Sequence, residues 1–197
     1  RRVIDRLYFP AAFRPGQHTE RPDINLFLEQ WIPFDYGNQA TEEEETAQAD
    51  LSGGKFGDWR RAPREWGVYH PDWYDYQSRG SMKRFIARCL NLGSRVRALT
   101  EKEIEKAFQR ANAGDPTILA VTNHDEREMR DDLDWFRSTL RITQSKYPKV
   151  KIKYVNAVEA IRLEQSLKKE APVNLDFMWK ESTFRITADK DIWGPQP

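Results

Sequence analysis

The stretch ILAVTNHDEREM, residues 118–129, places an apolar run directly before four polar residues, Thr122 to Asp125, and then a charged segment. A run that is apolar on both faces predicts a strand of a parallel sheet covered by helices. Ligands of such sheets bind just beyond the carboxyl ends of the strands. His124 therefore lies where catalytic chemistry is expected.

The flanking sequence predicts an alternation of strands and helices around this stretch. Thr100 with Glu103 forms a capping box, and the apolar spacing that follows predicts a helix over 101–112. Asp125 and Asn156 are predicted N-caps of the next two helices. The remaining elements are predicted as strands at 9–13, 32–36, 84–92, 118–121 and 149–155, and a helix from Pro22. This order predicts an α/β architecture with parallel strands over residues 1–168.

The pattern changes to period two after Pro172. NLDFMW and TFRITA predict two strands joined at Glu181-Ser182. We therefore predict a β-hairpin, or the start of a small β module, over residues 172–197.

Composition limits the possible partners. Thirty-two basic residues oppose 31 acidic ones in a chain of 197, so the overall charge gives no electrostatic reason to expect nucleic acid. No apolar run approaches the roughly 20 residues that span a bilayer. Cys89 is the only cysteine, so nothing indicates an oxidising compartment. The sequence leaves the compartment undetermined, and the single cysteine slightly favours the cytoplasm.

The most aromatic part of the chain is DWRRAPREWGVYHPDWYDY, residues 58–76. Trp59, Tyr69, Trp73 and Tyr74 could stack on sugar rings, and the alternative is that they pack in the core.

The motifs FRPG at 13–16 and PFDYGN at 33–38, the aromatic loop and the late strand ending in His124 resemble the polysaccharide deacetylase family of carbohydrate esterases. The resemblance covers residues 1–168. It implies that they form the C-terminal portion of a distorted seven-stranded (β/α) barrel. The other half would come from an N-terminal segment or from a partner chain.

The resemblance also implies roles for individual residues. Arg14 matches the arginine that holds the catalytic aspartate, and His124 matches the histidine that protonates the leaving amine. Leu119 corresponds to an apolar wall of the acetyl pocket, and Asn123 precedes the histidine. The family's Asp-Trp pair has two candidates here, Asp58-Trp59 and Asp72-Trp73, and with Tyr69 these complete the predicted substrate site. The alternatives are a surface arginine at 14 and a histidine hydrogen-bonded near a helix N-terminus at 124.

The family's metal ligands have no match. They are one Asp and two His spaced as H-x-x-x-H, whereas His18, His70 and His124 lie about fifty residues apart. We therefore predict no metal ligand in this chain, and we expect a divalent metal, usually zinc, to be held by residues outside it. The predicted function is deacetylation of N-acetylated sugars or polysaccharide. The alternatives are a non-catalytic carbohydrate-binding module and an amide hydrolase with a non-sugar substrate.

Overall fold

A computed structural model of the chain describes residues 10–16, 19–42, 57–93, 98–124, 128–167 and 174–189. In chain order the elements are β1 (Ala12–Phe13), α1 (Pro22–Trp31), β2 (Phe34–Asn38), β3 (Val68–Tyr69), β4 (Phe85–Asn91), α2 (Glu101–Asn112), β5 (Ala120–Thr122), α3 (Arg130–Lys146), α4 (Ala157–Glu164), β6 (Leu175–Lys180) and β7 (Thr183–Ala188). The mixed α/β class is confirmed.

Four strands follow one another in parallel. β1 pairs with β2, β2 with β4, and β4 with β5. On its other side β4 has two neighbours. β3 runs antiparallel beside its first half, opposite Ile86 and Ala87, and β5 runs parallel beside its second half, opposite Cys89 to Asn91. The strands among the described residues do not close into a barrel. The sequential parallel order agrees with the α/β prediction, whereas the seven-stranded barrel is not confirmed.

The sheet carries helices on both faces. Side chains of paired residues share a face, so Cys89 lies with Ala120, and Leu90 lies with Val121. On the Leu90 face, helices α2 and α3 contribute Ile104, Phe108 and Leu140 to the core. On the Cys89 face, Ile161 of α4 packs with Tyr36 and Ala87. Both faces of the central strand β4 are therefore buried, including Arg88, although its alternation of apolar residues with arginine predicts one wetter face.

Local capping signals were good predictors of the helices. Thr100 Oγ1 accepts a hydrogen bond from the Glu103 backbone N–H at 3.3 Å, and α2 has the predicted bounds. Asn156 Oδ1 likewise accepts from Glu159 N–H at 2.9 Å at the start of α4. Helix α3 begins at Arg130 with Met129 as its N-cap, and the predicted cap Asp125 lies outside the described residues.

The predicted strand at 149–155 is wrong. These residues are not in a strand, although their apolar positions are used. Val150 and Ile152 pack against the core cluster that contains Phe108 and Leu140. Alternation here serves side-chain packing without a hydrogen-bonded strand ladder.

A buried charged cluster holds α1 against the sheet. The Arg84 guanidinium makes ion pairs with Glu20, at 2.6 Å, and with Asp35, and all three side chains have no exposed surface. It also donates a hydrogen bond to the Asn25 carboxamide of α1. Glu29 accepts hydrogen bonds from the backbone N–H groups of Lys83, at 2.6 Å, and Arg84, at 3.1 Å. One guanidinium therefore faces two buried carboxylates.

The C-terminal hairpin is confirmed. β6 and β7 pair antiparallel along their whole length, and Glu181 in the turn has a positive φ of 54°. Within the described part of the chain, no helix is long and apolar enough to cross a membrane.

Candidate active site at the carboxyl ends of the strands

The ends of β1 and β4 are joined by a side-chain hydrogen bond. Arg14 follows β1, and its Nη2 donates to Oδ1 of Asn91, the last residue of β4, at 3.0 Å. Asn91 is also the register partner of Thr122 at the end of β5. Because parallel strands end at the same edge of a sheet, Arg14 and the segment leading to His124 share this edge.

The end of β5 is tied to helix α3. Asn123 Nδ2 donates to Oδ2 of Asp132, in the first turn of α3, at 3.0 Å. The Asn123 carboxamide oxygen accepts from the His124 backbone N–H at 2.7 Å. The His124 side chain itself is exposed. Asn123 therefore positions the backbone of His124 and leaves the imidazole accessible to a substrate.

The loop after β4 packs closely against the same carboxylate. Gly93 has a φ of 67°, and a Cβ at this position would lie 2.1 Å from Asp132 Oδ1. A side chain here is excluded both by the backbone conformation and by space. Glycine at 93 thus allows Asp132 to remain beside Asn123.

A largely apolar cavity of about 850 Å³ begins beside Arg14. Tyr36 and Cys89 line it from the Cys89 face, Thr122 lines it from β5, and Phe108 and Leu140 line it from the Leu90 face. The wall across from β5 is formed by residues 150–157. Its size and apolar lining with a few polar groups are typical of small-molecule sites.

Burial controls the ionisation of the groups around Arg14. It lowers the Arg14 pKa, an effect that the neighbouring Cys89 opposes. Burial raises the pKa of Cys89 to about 11, against the influence of Arg14. The Tyr36 pKa is also raised by burial, and its hydroxyl donates to the Ala157 carbonyl at 2.6 Å. Cys89 is therefore a thiol at neutral pH, which is unsuited to nucleophilic attack.

Two of the predicted sugar-stacking residues lie in the core. Trp59 and Tyr69 are buried together around Ile86. Trp59, Tyr69 and Ile86 are not among the residues that line the cavity beside Arg14. The Tyr69 hydroxyl donates to the Tyr76 carbonyl at 2.8 Å. Neither ring offers a face to a sugar in this structure, because both are enclosed by neighbouring side chains.

The two Asp-Trp candidates are both engaged in their own loops. Asp58 forms an ion pair with Arg60 at 2.9 Å and Asp72 accepts from the Tyr74 backbone N–H at 2.9 Å. Trp73 is exposed. The structure therefore brings Arg14, Asn123 and His124 to one edge of the sheet. Leu119 lies before the start of β5, away from this edge, and Trp59 and Tyr69 lie in the core.

Three polar residues near this edge were missed from the sequence. Asn91 contacts Arg14, Asp132 contacts Asn123, and Gln39 follows β2. Gln39 is fully buried, and neither of its carboxamide atoms has a hydrogen-bond partner in the part of the chain that the structure describes. Polar residues that follow a buried strand are the signal that selected His124, and this signal also applies to Gln39. Asn91 lies inside the predicted strand 84–92, so the signal does not identify it.

The described residues contain no group of three or more His, Cys, Asp or Glu side chains that could hold a metal.

Comparison with protein-family models, with curated proteins and with solved structures found no match.

Proposed function

We propose that this chain contributes the acid and substrate-positioning half of a hydrolase that removes acetyl groups from N-acetylated sugars or polysaccharide. The observation that carries the proposal is the shared edge of the sheet, where Arg14 binds Asn91 and the exposed His124 follows the register partner of Asn91. An apolar cavity adjoins Arg14 at this edge, as an acetyl group would require.

In the proposed reaction, water adds to the acetamide carbonyl, the C–N bond breaks, and the products are acetate and a free amine. His124 donates the proton that the departing nitrogen takes up. Asn123, held by Asp132, fixes the backbone from which this imidazole extends. Leu119 contributes to the apolar lining of the cavity that adjoins Arg14.

Arg14 acts as a positioning residue in this scheme. Its planar guanidinium can bind a carboxylate with two parallel hydrogen bonds, and Asn91 already orients it at 3.0 Å. The carboxylate would be that of the base. The base and the divalent metal, usually zinc, are proposed to belong to residues outside this chain, and no step assigned here depends on them.

The test is acetate release by the longest polypeptide that naturally contains these residues. Because a positioned general acid contributes roughly 10²–10⁴-fold, His124→Ala should lower kcat by at least about 100-fold. His70→Gln is the matched control, since His70 contacts the Arg84 carbonyl through Nδ1 at 3.1 Å and lies away from this edge. Undiminished turnover in His124→Ala would remove this residue from the mechanism.

A non-catalytic carbohydrate-binding module is the second candidate, and the exposure of Trp73 and Tyr74 favours it. Binding of an N-acetylglucosamine oligomer by the chelated protein, without hydrolysis in metal-replete buffer, would support this alternative. Loss of that binding in Trp73→Ala and Tyr74→Ala would assign it to the aromatic loop.

A further inference from the structure

The hairpin of β6 and β7 has two chemically different faces. Residues opposite each other in an antiparallel pair share a face, which gives three apolar rungs: Leu175 with Ala188, Phe177 with Ile186, and Trp179 with Phe184. We call these six residues the apolar face of the hairpin. The other face carries Asp176, Met178, Lys180, Thr183, Arg185 and Thr187.

The apolar face is open to solvent. Phe177 is 63% exposed, Trp179 71%, Phe184 51%, Ile186 55% and Leu175 43%. The rings of Phe177 and Phe184 are stacked, with centroids 6.0 Å apart, and Trp179 lies 5.6 Å from Phe184. An isolated two-stranded hairpin is at best marginally stable in water. Covering this face would therefore stabilise the hairpin.

The chemistry of the face selects an apolar protein surface over a sugar. A carbohydrate presents hydroxyl groups around its ring, and a binding site needs polar groups placed to pair with them. None of the six side chains on this face has a polar group apart from the indole N–H of Trp179. A contiguous exposed apolar patch of this kind is typical of protein interaction sites.

We propose that a second copy of this chain covers the apolar face, so that two hairpins pack face to face about a twofold axis. The rungs differ in size along the hairpin, from Leu175–Ala188 at the open end to Trp179–Phe184 at the turn. In an antiparallel twofold arrangement the largest rung of one copy lies over the smallest rung of the other. The central rungs, Phe177–Ile186, then meet each other, and the spacing between the sheets stays even.

The area involved predicts a weak dimer. An aromatic side chain buries about 150–250 Å² in full. At the exposures above, the face offers roughly 500 Å² per copy, or roughly 1,000 Å² in total. This is at the lower limit of specific interfaces, so we expect a dissociation constant of about 10–100 μM and an equilibrium that shifts on dilution.

The test is sedimentation equilibrium of the full chain between about 1 and 300 μM, a range chosen to bracket that constant. The wild type should approach twice the monomer mass at the upper end. The double variant Phe177→Thr/Ile186→Thr should stay monomeric, because it removes the central rung while threonine keeps a high preference for strands. Met178→Thr is the matched control, since Met178 is 58% exposed on the other face and should leave self-association unchanged.

Each outcome decides the proposal. A wild type that is monomeric at all concentrations would overturn it, as would equal self-association in the wild type and the double variant. Titration with an N-acetylglucosamine oligomer checks the other occupant: saturable binding that requires Phe177 and Ile186, with no self-association, would assign the face to a glycan. Failure here would not bear on the hydrolase, because the hairpin takes no part in the proposed site.

Discussion

Replacing Glu20 by glutamine should remove a pH dependence of folding stability. Glu20 and Asp35 are both buried against the single guanidinium of Arg84. Burial raises the Glu20 pKa well above its usual value of 4.5, the Asp35 charge raises it further, and Arg84 opposes both effects. The folded protein therefore holds a proton on Glu20 up to a higher pH than the unfolded chain does.

The sign and size follow from proton linkage. A raised folded-state pKa contributes stability that is fully present below about pH 4.5 and is lost as pH rises through the folded pKa. While the proton is bound in the folded state only, the free energy of unfolding falls by about 1.4 kcal/mol per pH unit. Glu20→Gln eliminates this contribution because the carboxamide does not titrate.

Urea denaturation followed by tryptophan fluorescence at pH 5.5, 6.5 and 7.5 measures the effect. Stability of the variant relative to wild type should improve with each step in pH, by up to about 1.4 kcal/mol. Glu101→Gln, at an exposed position in the first turn of α2, is the control and should show a constant difference. A difference between Glu20→Gln and wild type that does not vary with pH would refute the reasoning.

Two further predictions concern charge and backbone. Arg84→Met should destabilise the protein by about 3–5 kcal/mol at neutral pH, because it leaves buried carboxylates without a cation. Arg79→Met removes an exposed ion pair and should cost less than about 1 kcal/mol. Equal urea midpoints for the two variants would contradict this prediction. Gly93→Ala should lower the melting temperature more than Gly114→Ala, since both glycines have positive φ but only a Cβ at 93 collides with Asp132. Equal melting temperatures in the two variants would contradict this, because they would show that the Asp132 side chain moves away from the new Cβ without loss of stability.

The helices could be predicted because their signals are local. Thr100 and Asn156 each lie within four residues of the backbone N–H groups that they cap. The bounds of α2 accordingly match the prediction. The hairpin was predicted for a similar reason, since its alternation and its turn lie within one short stretch.

Strand pairing was harder to predict because it depends on distant partners. Residues 149–155 alternate as an edge strand does, yet they form no strand, and Val150 and Ile152 pack against the cluster around Leu140. The register of β2 against β4 shifts between Asp35 and Asn38. Gly37 lies between them and is a local signal of this irregularity, because glycine within a strand often marks a bulge. A pattern of apolar residues indicates which side chains are buried, but it does not indicate which strand the segment pairs with.

The aromatic loop shows the same limit for function. Trp59 and Trp73 both lie in the aromatic stretch 58–76. Trp59 is enclosed by Tyr69, Tyr76 and Ile86, whereas Trp73 is exposed. Composition alone supports both sugar stacking and packing. Neighbours that come from β3, β4 and the loop around Tyr76 separate the two roles.

The polar residues at the end of β5 differ in their surroundings: Thr122 and Asn123 form hydrogen bonds that fix the strand end, and the side chain of His124 is exposed. The Thr122 carbonyl accepts from the Leu92 backbone N–H at 2.8 Å, and Asn123 is held by Asp132, so both are used to fix the end of the strand. The His124 side chain that follows is exposed. Under the proposed function, these two anchors would hold the backbone that carries the His124 imidazole in place before a substrate binds.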